Sequence, residues 1–297
     1  MTRRTHCSPR STVSESYAPT KRANKVADWI EVAALGKSAS LGGAALQEAG
    51  SQHGYKETDI SLGINTINRR ATLLGGSYPF LTASGGVAAK HDAHEQVWTA
   101  LLLMSAESPI RTVKLVAEAA EHLERITAAA LTNLYGPGTE AIRFGWPSDC
   151  GRPPEFPDAV RWLAKRMGVP VGAAYRSPYR KDGGVDVVAW RAFPDGRSGF
   201  PVLLAQCTLE REYAHKAADI DLAVWSGWLA LDADPATALA VADVVAAGEE
   251  WNALAARTIV LDRIRLAALV GHASGHPLLN PALEWTTAAL SLLRSRE

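Results

Sequence analysis

The sequence lacks the features of several common protein classes. No run of about 18 consecutive apolar residues is present, so no transmembrane helix is predicted. The three cysteines, Cys7, Cys150 and Cys207, are widely spaced, which argues against a disulfide framework or a zinc cluster. We therefore expect a cytoplasmic protein that makes no contact with a membrane.

An excess of charge of either sign is also missing. The 31 Lys and Arg residues balance the 31 Asp and Glu residues. Nucleic-acid-binding proteins usually carry an excess of basic side chains. Any basic surface on this chain must therefore be local, and the composition argues against DNA binding through net charge alone.

The motifs of several large enzyme classes are absent as well. The sequence has no Walker phosphate loop, no GxGxxG after a predicted strand and no GxSxG nucleophile elbow. These absences argue against P-loop nucleotide hydrolysis, dinucleotide-dependent redox chemistry and serine-hydrolase chemistry of the α/β type.

What the sequence does contain is ample helical patterning. With 297 residues, 47% of them hydrophobic, the chain is long enough for a sizeable core. Residues 1–25 are basic and rich in Ser and Thr, which predicts a disordered tail. Residues 26–115 have apolar side chains at helical spacing, which predicts a helical N-terminal domain. The clearest helical stripe follows; it consists of Val116, Ala119, Leu123, Ile126, Ala130 and Leu134, and Gly136 ends it.

The periodicity changes in the segments GVDVVAW and FPVLLAQC, which predict two strands of a hairpin. Asp195-Gly196 between them is typical of a turn. After Thr208 we expect helices again, including one in DPATALAVADVVAAG and others to the C-terminus. The chain therefore predicts an α/β fold with a helical N-terminal domain and a helical C-terminal part.

The hairpin brings two polar residues together. Asp186 and Gln206 are equally far from Gly196, so they are expected to pair across the strands. An unpaired carboxylate is expensive to bury, and a divalent cation would relieve that cost because hard ions bind carboxylate and amide oxygens. The alternative for Asp186 is a solvated acid near a turn. Asp182, with Gly183-Gly184, is either a turn residue or a member of the site.

These segments resemble a known family. DGGVDVVAW and LLAQC, preceded by the helix segment LERITAAALTNLYG, are similar to the PD-(D/E)xK restriction-endonuclease-like nucleases, and specifically to the Mrr-type branch. The resemblance covers about residues 118 to 216. A wider likeness, to about residue 265 through WSGWL and LDRIRL, is to nuclease-like proteins of bacterial anti-phage defence. The resemblance to the restriction-endonuclease-like nucleases implies a central mixed sheet flanked by helices, with residues 116–297 as the nuclease domain.

The resemblance also implies a site. Glu124 matches the helix acid of the family, Asp186 the strand acid and Gln206 the glutamine, and together they would surround Mg²⁺ or Mn²⁺. The family's lysine, two positions after the glutamine, is replaced here by Thr208. Lys216, from the following segment, is the candidate to supply that cation. The implied catalytic residues are thus Glu124, Asp186, Gln206 and Lys216.

The function implied is metal-dependent hydrolysis of DNA phosphodiester bonds, as an effector of anti-phage defence, with RNA left open as a substrate. The alternative is a catalytically inactive nuclease-like module that acts as a scaffold or nucleic-acid-binding subunit. Residues 26–115 would dock a protein partner, sense a trigger or mediate self-association into a homo-oligomer. A third hypothesis is a helical interaction protein with an incidental hairpin.

Other residues have two interpretations each. Trp225 and Trp228 are expected in the core rather than as base-stacking residues. Two histidine pairs, His91 with His94 and His272 with His276, lack further metal ligands and are expected at the surface, at caps or in loops. Several basic residues near the hairpin would contact phosphates or be ordinary solvated charges: Arg176, Arg180, Lys181, Arg191, Arg197 and Arg211.

Overall fold

The computed structural model describes residues 18–37, 40–83, 85–105, 107–177, 179 and 181–296. Most of the segment predicted as a disordered tail, residues 1–17, lies outside this range. The first helix begins at Lys21, inside the predicted tail, because the Thr20 hydroxyl caps it by accepting a hydrogen bond from the Ala23 N–H at 3.2 Å. The residues between Lys21 and position 25 are therefore helical.

The described residues form ten helices and seven strands, joined by loops and short 3₁₀ turns. The helices are α1 Lys21–Gly36, α2 Gly43–Gln52, α3 Glu57–Leu74, α4 Val97–Met104, α5 Val113–Tyr135, α6 Phe156–Met167, α7 Leu222–Trp228, α8 Glu249–Ala255, α9 Arg263–Val270 and α10 Asn280–Arg294. The strands are β1 Phe80–Ala83, β2 Gly86–Ala89, β3 Glu140–Arg143, β4 Val187–Trp190, β5 Val202–Thr208, β6 Ala236–Val241 and β7 Ile259–Leu261. None of these helices has both the length and the apolar character that crossing a bilayer requires.

The N-terminal part is helical as predicted, with one exception. Strands β1 and β2 form a small antiparallel hairpin in which Phe80 pairs with Ala89. Pro79 disfavours helix at the residue before it, and Gly85 takes the positive φ of +73° that the tight connection requires. The prediction of an entirely helical segment over 26–115 missed this hairpin.

The larger sheet contains five strands among the described residues, in the order β3-β4-β5-β6-β7. Strand β4 is antiparallel to both of its neighbours, β3 and β5, and β5, β6 and β7 run parallel. The predicted hairpin is present as β4 and β5, and Val187 pairs with Ala205 in the register expected from a turn centred on Gly196. The prediction of an α/β fold with a mixed sheet flanked by helices is confirmed.

Strand β6 corrects another prediction, because it lies in the segment DPATALAVADVVAAG that we expected to be helical. Ala238 and Ala240 pack into the main core on one face of the sheet, and Leu239 and Val241 pack into a separate cluster on the other. A parallel strand buried on both faces shows a continuous apolar run instead of alternation. Such a run of small residues cannot be told from a buried helix by periodicity.

Both faces of the central sheet are covered. Helix α5 packs on one face, where Val187 and Ala205 share a core with Leu123 and Ile126 of that helix. Leu134, which we expected in the stripe, is 43% exposed near the end of the helix. On the opposite face, residues of α6 and α7 pack against β4 and β5, and Trp225 and Trp228 are buried there as expected.

A buried network of charges joins the N-terminal helices to the C-terminal part. Arg263 of α9 makes two hydrogen bonds of 3.0 Å to the Asp28 carboxylate of α1, and Arg70 of α3 donates to Asp28 at 2.8 Å and to Glu31 at 2.7 Å. The Trp98 indole donates to Glu31 at 2.8 Å. Burial opposes ionisation of Asp28, but the two guanidinium groups outweigh it and lower the pKa of Asp28.

The hydrophobic core is likewise continuous across the boundary predicted between residues 115 and 116. That boundary falls inside α5, and a single core cluster includes residues from Val26 in α1 to Leu293 in α10. The helical N-terminal residues therefore share their interior with the rest of the described chain. A separate role for residues 26–115 stays a prediction.

We predict that Arg263→Met destabilises the protein by about 3 kcal/mol, because removing one partner of a buried ion pair leaves a carboxylate poorly compensated. Urea unfolding at neutral pH measures this. The matched control is Lys25→Met: Lys25 lies in α1 and forms an exposed pair of 3.6 Å with Glu107, and its loss is expected to cost less than about 1 kcal/mol. Equal midpoints for the two variants would contradict the role of the network.

Candidate metal centre at the end of the sheet

Asp186 lies at a β-bulge at the start of β4. Its N–H donates to the Ala205 carbonyl at 2.9 Å, although Ala205 is already the register partner of Val187. Two residues of one strand therefore face a single residue of the other, which re-aims the side chain. The Asp186 carboxylate Oδ2 accepts the N–H of Cys207 at 2.7 Å, so a side chain takes the place of the next ladder hydrogen bond.

The expected pairing of Asp186 with Gln206 is changed by this bulge. The regular ladder ends at Val187 and Ala205, and the Asp186 carboxylate bonds to the backbone of Cys207 rather than facing Gln206 directly. Both residues still lie at the same end of the hairpin. A sequence-based register predicts the strands correctly but not the bulge, because the bulge adds a residue without changing the apolar pattern.

The electrostatic environment of Asp186 is unfavourable for its charge. Burial, followed by the charge of Glu124, raises the pKa of Asp186 to about 8, and the hydrogen bond from Cys207 offsets only part of this. The charge of Asp182 raises it further, and the more distant Lys216 lowers it. The site thus holds a carboxylate that a nearby cation would stabilise.

Glu124 reaches the same region from α5. Its Oε2 accepts a hydrogen bond from Nη1 of Arg143 at 3.0 Å, yet burial outweighs Arg143 and raises the pKa of Glu124 to about 7. Gly145 lies between the two acids: its N–H donates to the Asp186 carbonyl at 2.9 Å, and a Cβ there would be 3.0 Å from Glu124 Oε2. The structure therefore brings Glu124 and Asp186 together.

Gln206 has an unused acceptor. Its Oε1 is buried and has no hydrogen-bond partner, and its Nε2 makes only a long contact of 3.5 Å to the Cys207 carbonyl. Gln206 lines a cavity of about 310 Å³ together with Lys216 and Thr208. Buried polar atoms without partners are uncommon in proteins, so this oxygen is suited to a ligand or a bound water.

Thr208, at the position where the resemblance implies a lysine, has a structural role of its own. Thr208 is buried, and its hydroxyl accepts the N–H of Glu210 at 3.1 Å, which fixes the turn after β5. Lys216, in the 3₁₀ turn Tyr213–Ala218, lines the same cavity but pairs with Glu210 at 3.3 Å and with Asp219 at 3.4 Å. Burial opposes its charge, but these partners raise the pKa of Lys216.

Asp182 has the turn role that the sequence predicted. Its Oδ1 accepts the N–H of Gly184 at 2.9 Å, and Gly183 and Gly184 both have positive φ. Only glycine fits at Gly184, because a Cβ there would lie 2.5 Å from the Asp219 carbonyl oxygen. Asp182 also adds negative charge to the site, since it raises the pKa of Glu124 as well as that of Asp186.

Sequence reasoning missed Arg143. It lies at the end of β3, is 5% exposed, and pairs with Asp149 at 3.2 Å in addition to Glu124. Its burial opposes its charge, but Glu124 outweighs that effect and raises the pKa of Arg143. The sequence feature that could have identified Arg143 is a single Arg between the apolar residues Ile142 and Phe144. This pattern is typical of a short strand with one charged residue.

The remaining candidates lie elsewhere or have other partners. His272 contacts Gln96 at 3.0 Å, and His94 pairs with Glu95 at 3.6 Å. Arg191 donates to the Tyr135 carbonyl and Arg197 pairs with Asp195, both at the end of the hairpin opposite Asp186. Arg180 lies outside the described residues.

The donor set fits a hard divalent cation. Glu124 and Asp186 offer carboxylate oxygens in an environment that resists their charge, and Gln206 offers an amide oxygen without a partner. Within the described residues, no three His, Cys, Asp or Glu side chains come together as a ready metal cage. Two carboxylates with water and substrate oxygens as further ligands is an arrangement that Mg²⁺ accepts.

Comparisons with protein-family models, with curated proteins and with solved structures gave no match.

The acids of the site predict how stability depends on pH. Their pKa values are raised from 3.8 and 4.5 in the unfolded chain to about 8 and about 7, so the folded state binds more protons over this interval. Stability in EDTA should therefore fall as pH rises from about 4 to about 8, and the coupled pair titrates as one unit. Urea midpoints at several pH values measure this. Asp186→Asn should flatten the dependence; an unchanged slope would contradict the coupling.

Proposed function

We propose that this protein is a metal-dependent nuclease with a restriction-endonuclease-like core, hydrolysing DNA phosphodiester bonds as an effector of anti-phage defence. The observation that carries the proposal is the pair of largely buried acids at one end of the sheet, Glu124 and Asp186, whose pKa values are both raised. Strongly perturbed acids are typical of functional sites, and Gln206, at the same end of the sheet, lines a cavity of about 310 Å³. The proposal also places the protein in the cytoplasm, as a homo-oligomer or with a protein partner, and leaves RNA open as an alternative substrate.

The placement of the acids supports this function. One acid comes from a long helix packed on the sheet and the other from the start of a central strand, next to the glutamine of the neighbouring strand. This is the arrangement that the resemblance of DGGVDVVAW and LLAQC to Mrr-type nucleases implies. The five-stranded mixed sheet between helical layers is compatible with it.

In this mechanism, Glu124 and Asp186 would hold the cation, and Gln206 would contribute its amide oxygen or anchor a water. The bound cation would polarise a phosphoryl oxygen and lower the pKa of a coordinated water. Lys216 is protonated in the cavity, so its ammonium group would orient the attacking water or the phosphate by donating hydrogen bonds. Arg143 holds the Glu124 carboxylate in place through a hydrogen bond.

The catalytically silent module is the second candidate, and two observations favour it. Thr208 stands where the family has its lysine, and the replacement Lys216 is paired with Glu210 and Asp219. Arg143 also supplies part of the positive charge that Glu124 would otherwise take from a metal ion. In this form the protein would bind nucleic acid or a partner without cutting.

We predict that plasmid and linear DNA are cleaved with Mg²⁺ or Mn²⁺ and not with EDTA. Asp186→Asn and Glu124→Gln should each reduce the rate at least about 100-fold, because each removes a charged ligand of the cation. The matched control is Asp195→Asn, since Asp195 lies in the hairpin turn at the far end of the strands. The control should cut like wild type.

Cleavage that survives EDTA and Asp186→Asn would reject this site. If the wild type cleaves neither DNA nor RNA with either metal, alone or with its genomic neighbours, the silent module is the correct reading.

Lys216 has a test of its own. Lys216→Met should lower kcat by about 100-fold with little change in KM, since a group that assists proton transfer or orients the nucleophile is worth about this much. Lys165→Met, in the exposed part of α6, is the control. A Lys216→Met enzyme with normal kcat would show that the cation at this position has no part in the reaction.

A further inference from the structure

Aromatic side chains are exposed in the two loops that lead along the chain to the candidate metal centre. Tyr175 and Tyr179, between α6 and β4, are 82% and 94% exposed, and Trp146, after β3, is 43% exposed. We call these three residues the aromatic rim. One exposed ring needs no explanation. Three rings in two loops that both lead to the same acids are a feature of the site.

The rim is carried by a backbone that is held in place. The Trp228 indole donates to the Tyr175 carbonyl at 3.0 Å, and the Ala174 N–H donates to the Gly227 carbonyl at 3.0 Å. The Trp225 indole donates to Gly183 at 3.1 Å further along the loop. The buried tryptophans of α7 thus fix the loop backbone while the tyrosine rings point to solvent.

Both loops of the rim continue into residues at the metal centre. Trp146 follows Gly145, which contacts both acids of the site. On the other loop, the Lys181 carbonyl accepts a hydrogen bond from Arg152, whose guanidinium lies 5.5 Å from the centre of the Trp146 ring. Asp182 comes next in the chain. Arg152 therefore links the two loops next to the carboxylates.

The charge of the loop that carries Tyr175 and Tyr179 indicates which kind of ligand binds to the rings. Residues 175–181 read YRSPYRK, with three basic residues and no acid, in a chain whose net charge is zero. Basic residues interleaved with aromatic rings are typical of surfaces that bind single-stranded nucleic acid, where phosphates meet the cations and unpaired bases stack on the rings. A duplex keeps the faces of its bases stacked on one another, so it cannot offer them to these rings.

We propose that the aromatic rim binds single-stranded nucleic acid by base stacking and delivers unpaired nucleotides to the candidate metal centre. This rests on the proposed function for its purpose, and it narrows the substrate class from nucleic acid in general to single-stranded or locally unpaired strands. Stacking depends little on net charge, so it suits a chain without a basic excess.

The binding test uses the full-length Asp186→Asn protein in EDTA, so that no strand is cut. Fluorescence anisotropy with a labelled single-stranded DNA of mixed sequence, the same sequence as a duplex, and the matching RNA gives three dissociation constants. The single strand should bind at least about tenfold more tightly than the duplex. The RNA arm tells whether the rim discriminates between the two sugars.

Ring removal is the decisive step. Tyr175→Ala and Tyr179→Ala should each weaken binding of the single strand about tenfold, and Tyr175→Phe and Tyr179→Phe should bind like the parent, because the ring and not the hydroxyl makes the contact. Phe193→Ala is the matched control: Phe193 is 52% exposed in the hairpin turn, away from the acids. It should bind normally.

Equal affinity for single strand and duplex, no binding of either, or unchanged binding in both alanine variants would overturn the proposal. So would a rim that mediates self-association, seen as a dimer in sedimentation that Tyr175→Ala abolishes. Cleavage by the wild type is scored separately with Mg²⁺. Ring-dependent binding without cleavage supports binding of single strands by the rim and rejects the nuclease, together with delivery of nucleotides to the metal centre. Cleavage without ring-dependent binding keeps the nuclease and rejects the rim.

Discussion

The site depends on the cost of keeping two carboxylates, Glu124 and Asp186, together and away from water. Burial raises the pKa of both acids, and the charge of Glu124 raises that of Asp186 further. Neither is fully compensated: Arg143 bonds to Glu124, and among the described residues a backbone N–H bonds to the Asp186 carboxylate. Keeping two carboxylates largely buried without full compensation is costly, and such groups are typical of functional sites. The surrounding helices and strands hold the two acids in this arrangement.

Three features of the fold produce that geometry. Helix α5 packs its apolar face on the sheet, and this packing fixes the position of Glu124 relative to the strands. The bulge at the start of β4 turns Asp186 toward the N–H of Cys207 instead of continuing the ladder. The Gly183-Gly184 turn, closed by Asp182 and packed against Trp228, determines where β4 begins. Behind them, the buried ion pairs between Arg263 and Asp28 join the helical N-terminal part to the same core.

Much of this could be predicted from the sequence, and the failures have physical causes. The strands β4 and β5, their register and helix α5 follow from local periodicity. Strand β6 could not be recognised, because burial on both faces removes the alternation that marks a strand. The bulge at Asp186 leaves the apolar pattern unchanged, and the partner of Glu124, Arg143, lies in a strand of four residues with almost no pattern of its own. The network of Asp28 depends on Arg263, more than two hundred residues away, which no local window can detect.

The central claim is that the two acids bind a divalent cation, and calorimetric titration with Mn²⁺ at neutral pH tests it most directly. Because the acids hold protons at that pH, metal binding must displace them, so the measured heat should vary with the ionisation enthalpy of the buffer. The account predicts one Mn²⁺ site with proton release, and loss of both in Asp186→Asn. Binding of equal strength in Asp186→Asn, or binding without proton release, would contradict it.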